Sequence, residues 1–173
     1  AWYAPCPWQL DFNTALAPWD NKTMRRALSL LIDREEIADI GFSGITIPSR
    51  TMFVEHGGMF PFIEALEAAG YATAANADAD SALALIEGEG WRKGPDGFLR
   101  MDGRVLAAAI HVDATSSQAT QTARIIAEQL QSAGLRAETV QVENTPAFEN
   151  ALAVGDFELA VTNLACGSVS EPW

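Results

Sequence analysis

The sequence is short of cations and nearly empty of cysteine and histidine. Eleven Lys and Arg stand against 23 Asp and Glu, giving a formal net charge of -12 and a pI near 4.4. Such a surface repels phosphate backbones and anionic headgroups, which excludes nucleic acid and anionic membrane as partners. No apolar run approaches the roughly 20 residues that a membrane-spanning helix needs. The opening stretch, Ala1-Trp-Tyr-Ala-Pro5, lacks the basic start and apolar run of a secretory signal. The signal of an exported parent is therefore expected upstream. The two cysteines, Cys6 and Cys166, are too far apart in sequence for a redox pair or a zinc site, which use near neighbours. They read either as two buried thiols of a cytosolic domain or as a disulfide made in an oxidising compartment. As a disulfide they close a loop of about 160 residues, worth at most roughly 5 kcal/mol of chain entropy. The two histidines, His56 in a loop and His111 in a strand, have no neighbouring ligand set and read as surface or satisfied residues. No metal or other cofactor is expected.

What is present is a globular composition: 49% apolar, 20% charged, with 173 residues to build one core. A chain of that size hides roughly two-thirds of its unfolded surface. Along residues 6–13, Cys6, Trp8, Leu10 and Phe12 alternate with Pro7, Gln9, Asp11 and Asn13, the period of a half-buried strand. Asp20 or Asn21 then starts a helix whose stripe is Met24, Ala27, Leu28 and Leu31. Asp33 and Glu36 read as a capping box for a second, short helix ended by Gly41 and Gly44. Residues 45–59 read as an irregular loop, and 61–70 as a helix ended by Gly70. A further helix comes after NADADS, with Leu83, Ile86 and Trp91 on one face. Residues 94–114 read as a hairpin turning at Asp102-Gly103. After it come a strand (106–112), a helix (116–134, lined by Ala119, Ala123, Ile126, Leu130 and Ala133), a strand (136–143), a helix (145–155) and a last strand (157–165). That alternation predicts an α/β domain with a mostly parallel sheet and right-handed crossovers.

The motifs of chemistry fail on inspection. Asn76, Asp78, Asp80 and Glu87 sit at calcium-loop positions, yet Ser81 replaces the glycine such a loop needs, so the stretch reads as a helix start capped by Asp80. Residues 88–94, rich in Gly, come after a helix instead of leading a strand into one, and read as a turn. GFSG and CGSVS do not match a nucleophile elbow. A small stand-alone hydrolase remains the alternative function, requiring His56 or His111 to meet a serine and a carboxylate. A domain that binds only protein is a third possibility, recognisable by a large exposed apolar patch.

Two stretches carry a resemblance. FNTALAPWDNKTMRRALSLLIDREEIADIGFSG resembles the PF/PW-x-D-x-x-x-R-x-A-L-x-x-A-I-D-R segment of the family 5 extracellular solute-binding proteins, the oligopeptide-, dipeptide- and nickel-type periplasmic receptors of ABC importers. ALALIEGEGWRKGPDGFLRMDGRVLAAAIHV resembles the A-G-W-x-x-x-x-D-G segment of the same family, and QTARIIAEQLQSAGLRAETVQV resembles the helix and strand that come next in that family. The order is kept over nearly the whole chain.

The resemblance implies the C-terminal lobe of a type II periplasmic-binding-protein fold. Residues 1–173 would form a single lobe, with the first lobe absent and CGSVSEPW lying where the chain returns across the hinge. It implies a non-catalytic, periplasmic or extracellular component that captures a peptide-like or other small polar solute between two lobes and docks on an ABC permease. In the oligopeptide-binding members a cysteine seven residues before a strand-ending Asn pairs with the first residue of C-A-D-Y-N-E-P. Here those positions are Cys6, Asn13 and Cys166, so the resemblance implies a Cys6–Cys166 disulfide. It also exposes a departure: the aspartate that anchors a peptide's α-amino group is Ser168, and the tryptophan before the cysteine is Ala165. A hydroxyl lacks the charge-assisted hydrogen bond that an ammonium prefers. A sugar, a modified peptide or an opine-like compound becomes the expected solute. Gln9, Asn163, Ser168 and Ser170 are neutral donors and acceptors expected at the carboxyl ends of the strands, where open α/β sheets bind ligands. Trp173, Trp2 and Trp8 offer stacking faces, although Trp8 alternates with core residues.

Overall fold

In the computed structural model the described residues are 7–49, 51, 58–73 and 75–163. Strand β1 (Trp8–Phe12) is followed by α1 (Lys22–Leu31), opened by Asn21, whose side chain accepts from Thr23 N. The expected stripe of Met24, Ala27, Leu28 and Leu31 is buried. Helix α2 (Arg34–Glu36) runs on into a π-helical turn over Ile37–Gly41. Only half of the expected capping box forms. Asp33 accepts from Glu36 N, but Asp33 N donates to Gln129 Oε1, and the Glu36 carboxylate takes Gln129 Nε2 instead. The long helix behind has replaced the reciprocal bond.

Helix α3 (Phe60–Ala68) is apolar yet buries only Ile63. An apolar groove of about 360 Å³ lies beside it, lined by Met59, Phe62, Leu66 and Tyr71 among others. Helix α4 (Ala79–Gly88) packs on α1 and is capped by Asp78, not Asp80 as expected. Asp78 has a non-helical backbone and its side chain accepts from Ser81 N, as a cap requires, whereas Asp80 already lies in the first turn. Ile86 and Trp91 are buried together and Leu83 packs against them from the side.

The expected hairpin is the outer part of a three-stranded sheet of β2 (Arg92–Lys93), β3 (Leu99–Met101) and β4 (Arg104–Val105). Asp102 and Gly103 both have positive φ, as a two-residue turn of the primed type demands. The chain then enters the main sheet as β5 (Ala107–Asp113), crosses through α5 (Ser117–Ala133) to β6 (Arg136–Val142), and through α6 (Thr145–Val154) to β7 (Leu159–Asn163). The order is β1-β7-β5-β6, with β5 parallel to both β6 and β7 and β1 antiparallel to β7. This is the mixed, mostly parallel α/β sheet that the alternation of elements predicts.

One face of the sheet makes the core. Ala108, Ile110 and Val112 of β5, with Leu159 and Val161 of β7, are buried with the α1, α4 and α5 stripes, and Trp8, Leu10 and Phe12 pack against them. The other face is more polar, carrying Gln9, Asp11, His111, Asp113 and Thr162, and α6 lies on its β5–β6 part. Among the described residues no helix is long and apolar enough to cross a membrane.

Candidate functional site

Strand direction decides where polar groups gather. Because β5, β6 and β7 are parallel, all three end on one edge: β5 at Asp113, β6 at Val142, β7 at Asn163. Strand β1 runs the other way, so its first residues reach that same edge, with Trp8 opposite Asn163 and Gln9 opposite Thr162. In open α/β sheets ligands sit outside the carboxyl ends of the strands, at the crevice left where crossovers depart to opposite sides.

Two polar assemblies stand at or beside this edge. In the first, Gln9 Nε2 donates to Asp11 Oδ1 at 2.8 Å, and Thr162 Oγ1 donates to Asp11 Oδ2 at 2.6 Å. The carboxylate thereby fixes the Gln9 amide and ties β1 to β7 through side chains. In the second, Asp113 at 9% exposure accepts from Thr115 N at 2.8 Å, Thr115 Oγ1 at 2.7 Å and Thr145 Oγ1 at 2.5 Å. The hydroxyls of Thr145 and then Thr115 hold the Asp113 carboxyl below the ordinary carboxylate range. The Trp8 ring meets Phe42 at a centroid distance of 6.0 Å, in a tilted pair that walls the core side of the edge.

Of the expected ligand-binding residues, Gln9 and Asn163 come to this edge, but on opposite faces: Gln9 shares its face with Thr162, and Asn163 shares the Trp8 face. Trp8 is half-buried against the core, the structural role its alternation suggests. Ser168, Ser170 and Trp173 lie outside the described residues, as do Trp2 and both cysteines, Cys6 and Cys166. His56 does too. His111 is described: its Nδ1 is buried with no hydrogen-bond partner, so no chain from serine through His111 to a carboxylate exists among the described residues. Neither does any group of three or more His, Cys, Asp and Glu able to hold a metal ion.

Sequence reading missed Asp11, Thr162, Asp113, Thr115 and Thr145 as site builders. Asp11 carried a signal, its alternation with Gln9. The Asp-x-Thr of 113–115 is the other, since such spacing lets a carboxylate accept from the backbone two residues on.

The family model for bacterial extracellular solute-binding proteins, family 5 (middle), matches residues 5–172. Comparison with curated proteins gives no match. Among solved structures the chain is similar to the mannohexaose-bound periplasmic oligopeptide-binding protein of an ABC transporter from Thermotoga maritima. The identity is 18% and the TM-score 0.84, over 97% of this chain and 31% of that one. It is also similar to NikA from Brucella suis in complex with Fe(III)-EDTA, at 18% identity and a TM-score of 0.80, over 97% and 32%. A third is the oligopeptide-binding protein AppA from Bacillus subtilis with a nonapeptide, at 18% and 0.71, over 94% and 32%. The fold is common to all three, and this chain spans 31–32% of their length.

Proposed function

The chain belongs to the bacterial extracellular solute-binding proteins of family 5, and from that premise we propose that it is one lobe of a two-lobed, non-catalytic receptor serving an ABC importer. The observation that carries this reading is the family match over residues 5–172, joined to a polar carboxyl edge on the sheet. The receptor works outside the cytoplasm. A solute lies between this edge and a second lobe, and the closed form it stabilises is what the membrane permease engages. The three solved relatives hold a hexasaccharide, a peptide and a metal chelate, and their shared frame is compatible with solutes of quite different chemistry.

The solute is small and polar, and its end nearest Ser168 carries no free ammonium, because a serine stands where the family resemblance expects an aspartate. A sugar, a modified peptide or an opine-like compound fits. Gln9 and Asn163 meet it from the two sides of the edge, with Ser168, Ser170 and Trp173 completing the contact. The Cys6–Cys166 disulfide belongs to this reading. Its support is the pairing of Trp8 with Asn163, since Cys6 lies just before Trp8 and Cys166 just after Asn163 in sequence. Alkylation of unfolded, non-reduced protein tests it: no thiol labels if the bridge exists, and two label if it does not.

A clamp divides its binding energy between its jaws. A micromolar solute corresponds to about 8 kcal/mol, so a single lobe that keeps half of it binds only near millimolar. Native mass spectrometry of the intact parent with its co-purified ligand identifies the solute. Calorimetry then compares the parent with the 173-residue chain, and equal, tight affinities would refute the division. The stand-alone hydrolase is disfavoured by the family and by the unpartnered Nδ1 of His111.

A further inference from the structure

The main sheet ends in two edge strands, β1 on one side and β6 on the other. An edge strand offers unpaired N–H and C=O groups to any other strand, and folded proteins guard it with charge, proline or a bulge. Strand β6 is guarded. It carries exposed Arg136 and Glu138, and Gln131 Nε2 donates to the carbonyl of Ala137 at 2.7 Å.

Strand β1 has no such guard. Residues 8–12 contain no Lys, Arg or Pro, and the register with β7 runs from Trp8–Asn163 to Phe12–Leu159 without a bulge. The carboxylate of its one charged residue, Asp11, is held by Gln9 and Thr162. The ladder decides which backbone groups point outward. Asn13 N donates to Glu158 O at 2.9 Å, which makes Asn13–Glu158 a hydrogen-bonded pair. Bonded and non-bonded pairs alternate in an antiparallel ladder, so Gln9 and Asp11 also bond to β7, while the N–H and C=O of Trp8, Leu10 and Phe12 face away from it. Among the described residues nothing pairs with those outward groups. Side-chain burial shows the same bare flank. Leu159 and Val161 of β7 are 0% and 2% exposed, yet their register partners Phe12 and Leu10 are only half-buried on the same face. The rings of Trp19 and Phe42 meet Phe12 and Trp8 without burying them.

We propose that the outer edge of β1 is a strand-docking site, and that its occupant is a strand from the part of the parent polypeptide outside these 173 residues. The length of that part argues for it: three structures of the same fold match 94–97% of this chain, which spans only 31–32% of them. The proposal rests on the two-lobed reading for the existence of that parent. Side chains of the added strand alternate in step with those of β1. Those beside Trp8, Leu10 and Phe12 are apolar and close the core. Those beside Gln9 and Asp11 stand on the polar face and wall the solute edge, so the site is incomplete without them.

Amide hydrogen exchange read by NMR, on the intact parent and on the 173-residue chain, is the test. In the parent the Leu10 and Phe12 amides should exchange about 100-fold or more slowly than unstructured amides, as those of Gln9 and Asp11 do, whereas in the shorter chain only Gln9 and Asp11 should be protected. Free exchange of Leu10 and Phe12 in the parent overturns the proposal. Their protection in the shorter chain overturns it too: if it rises with concentration the occupant is a second copy, and if it does not, the occupant is a segment of this chain. Should the shorter chain fail to fold, the parent decides through the cross-strand Overhauser contact of the Leu10 amide, which must come from a residue outside the 173. Protection in a parent that binds no solute would sink the transport reading alone. Solute bound by a parent with a bare β1 edge would sink the docked strand alone.

Discussion

Replacing Gly134 with alanine tests how the three-stranded sheet is fastened to the main one. Gly134 ends α5 with φ of 101°, donating its N–H to Leu130 O and Gln131 O, while its own carbonyl accepts from Leu99 N at 2.8 Å. A Cβ built there lies 2.6 Å from the carbonyl oxygen of Gly97, a backbone atom in the β2–β3 turn. Two penalties therefore combine. The left-handed backbone costs an alanine about 1–2 kcal/mol. Moving the Gly97 turn away strains the Leu99–Gly134 hydrogen bond, whose loss is worth about 0.5–1.5 kcal/mol. Together they give about 1.5–3.5 kcal/mol, or roughly 3–14 °C in unfolding temperature at 2–4 °C per kcal/mol. Gly70→Ala supplies the control, because Gly70 has φ of 78° but no atom within 4 Å of the added carbon. It should lose only the backbone part. Urea unfolding of the two variants beside the parent reads the difference directly. If Gly134→Ala is no more destabilised than Gly70→Ala, the close approach to Gly97 has no energetic weight and the account of this junction is wrong.

Other substitutions reach the remaining parts. Leu130→Ala, at a fully buried position between α5 and the sheet, should lose about 2–5 kcal/mol in urea unfolding. Trp19→Phe removes the bond from Trp19 Nε1 to Glu158 Oε1 at 2.6 Å, leaving the Glu158 carboxylate with Ala109 N as its remaining donor. The acceptor is a carboxylate oxygen, so the expected loss is about 1.5–3 kcal/mol. Asp113 makes acid stability steeper. Its native carboxyl lies below its unfolded value because of Thr145 and Thr115. Its contribution is complete above about pH 4, where the unfolded group also ionises, and is lost as pH falls through the lowered native value. Asp113→Asn should flatten the urea midpoint against pH below that point, and an unchanged slope would contradict the assignment.

Periodicity made most elements readable before any coordinates. The stripe of α1, the alternation of β1 and the small-residue face of α5 each repeat at the spacing of one structure type; the two helix faces are buried, and the apolar side of β1 packs half-buried against the core. What escaped depends on neighbours from elsewhere in the chain. The π-helical turn of 37–41 packs on α5, where a Cβ on Gly41 would lie 3.5 Å from Ile125 Cδ1. The capping box around Asp33 was dismantled by Gln129, 96 residues away. The candidate site obeys the same rule. Gln9 shows as the polar side of a strand, but the partner that completes its network, Thr162, is 151 residues beyond Asp11. Asp113 and Thr145 are 32 apart and meet only because β5 and β6 end at the same height.

In the two-lobed receptor proposed above, that geometry also limits what this chain contributes. An open sheet edge is a ledge, with Gln9 and Asn163 on its two sides. Its polar groups are already engaged with one another, Gln9 with Asp11 and Asp113 with two threonines. Such groups are pre-oriented, so binding costs them little side-chain entropy, but each has few free valences left for a ligand. Water competes for those on an open ledge. In the proposed receptor, affinity then comes from burial against the second lobe, which removes water and strengthens every remaining hydrogen bond. On that proposal this chain supplies orientation, and the closing of the second lobe supplies most of the binding energy.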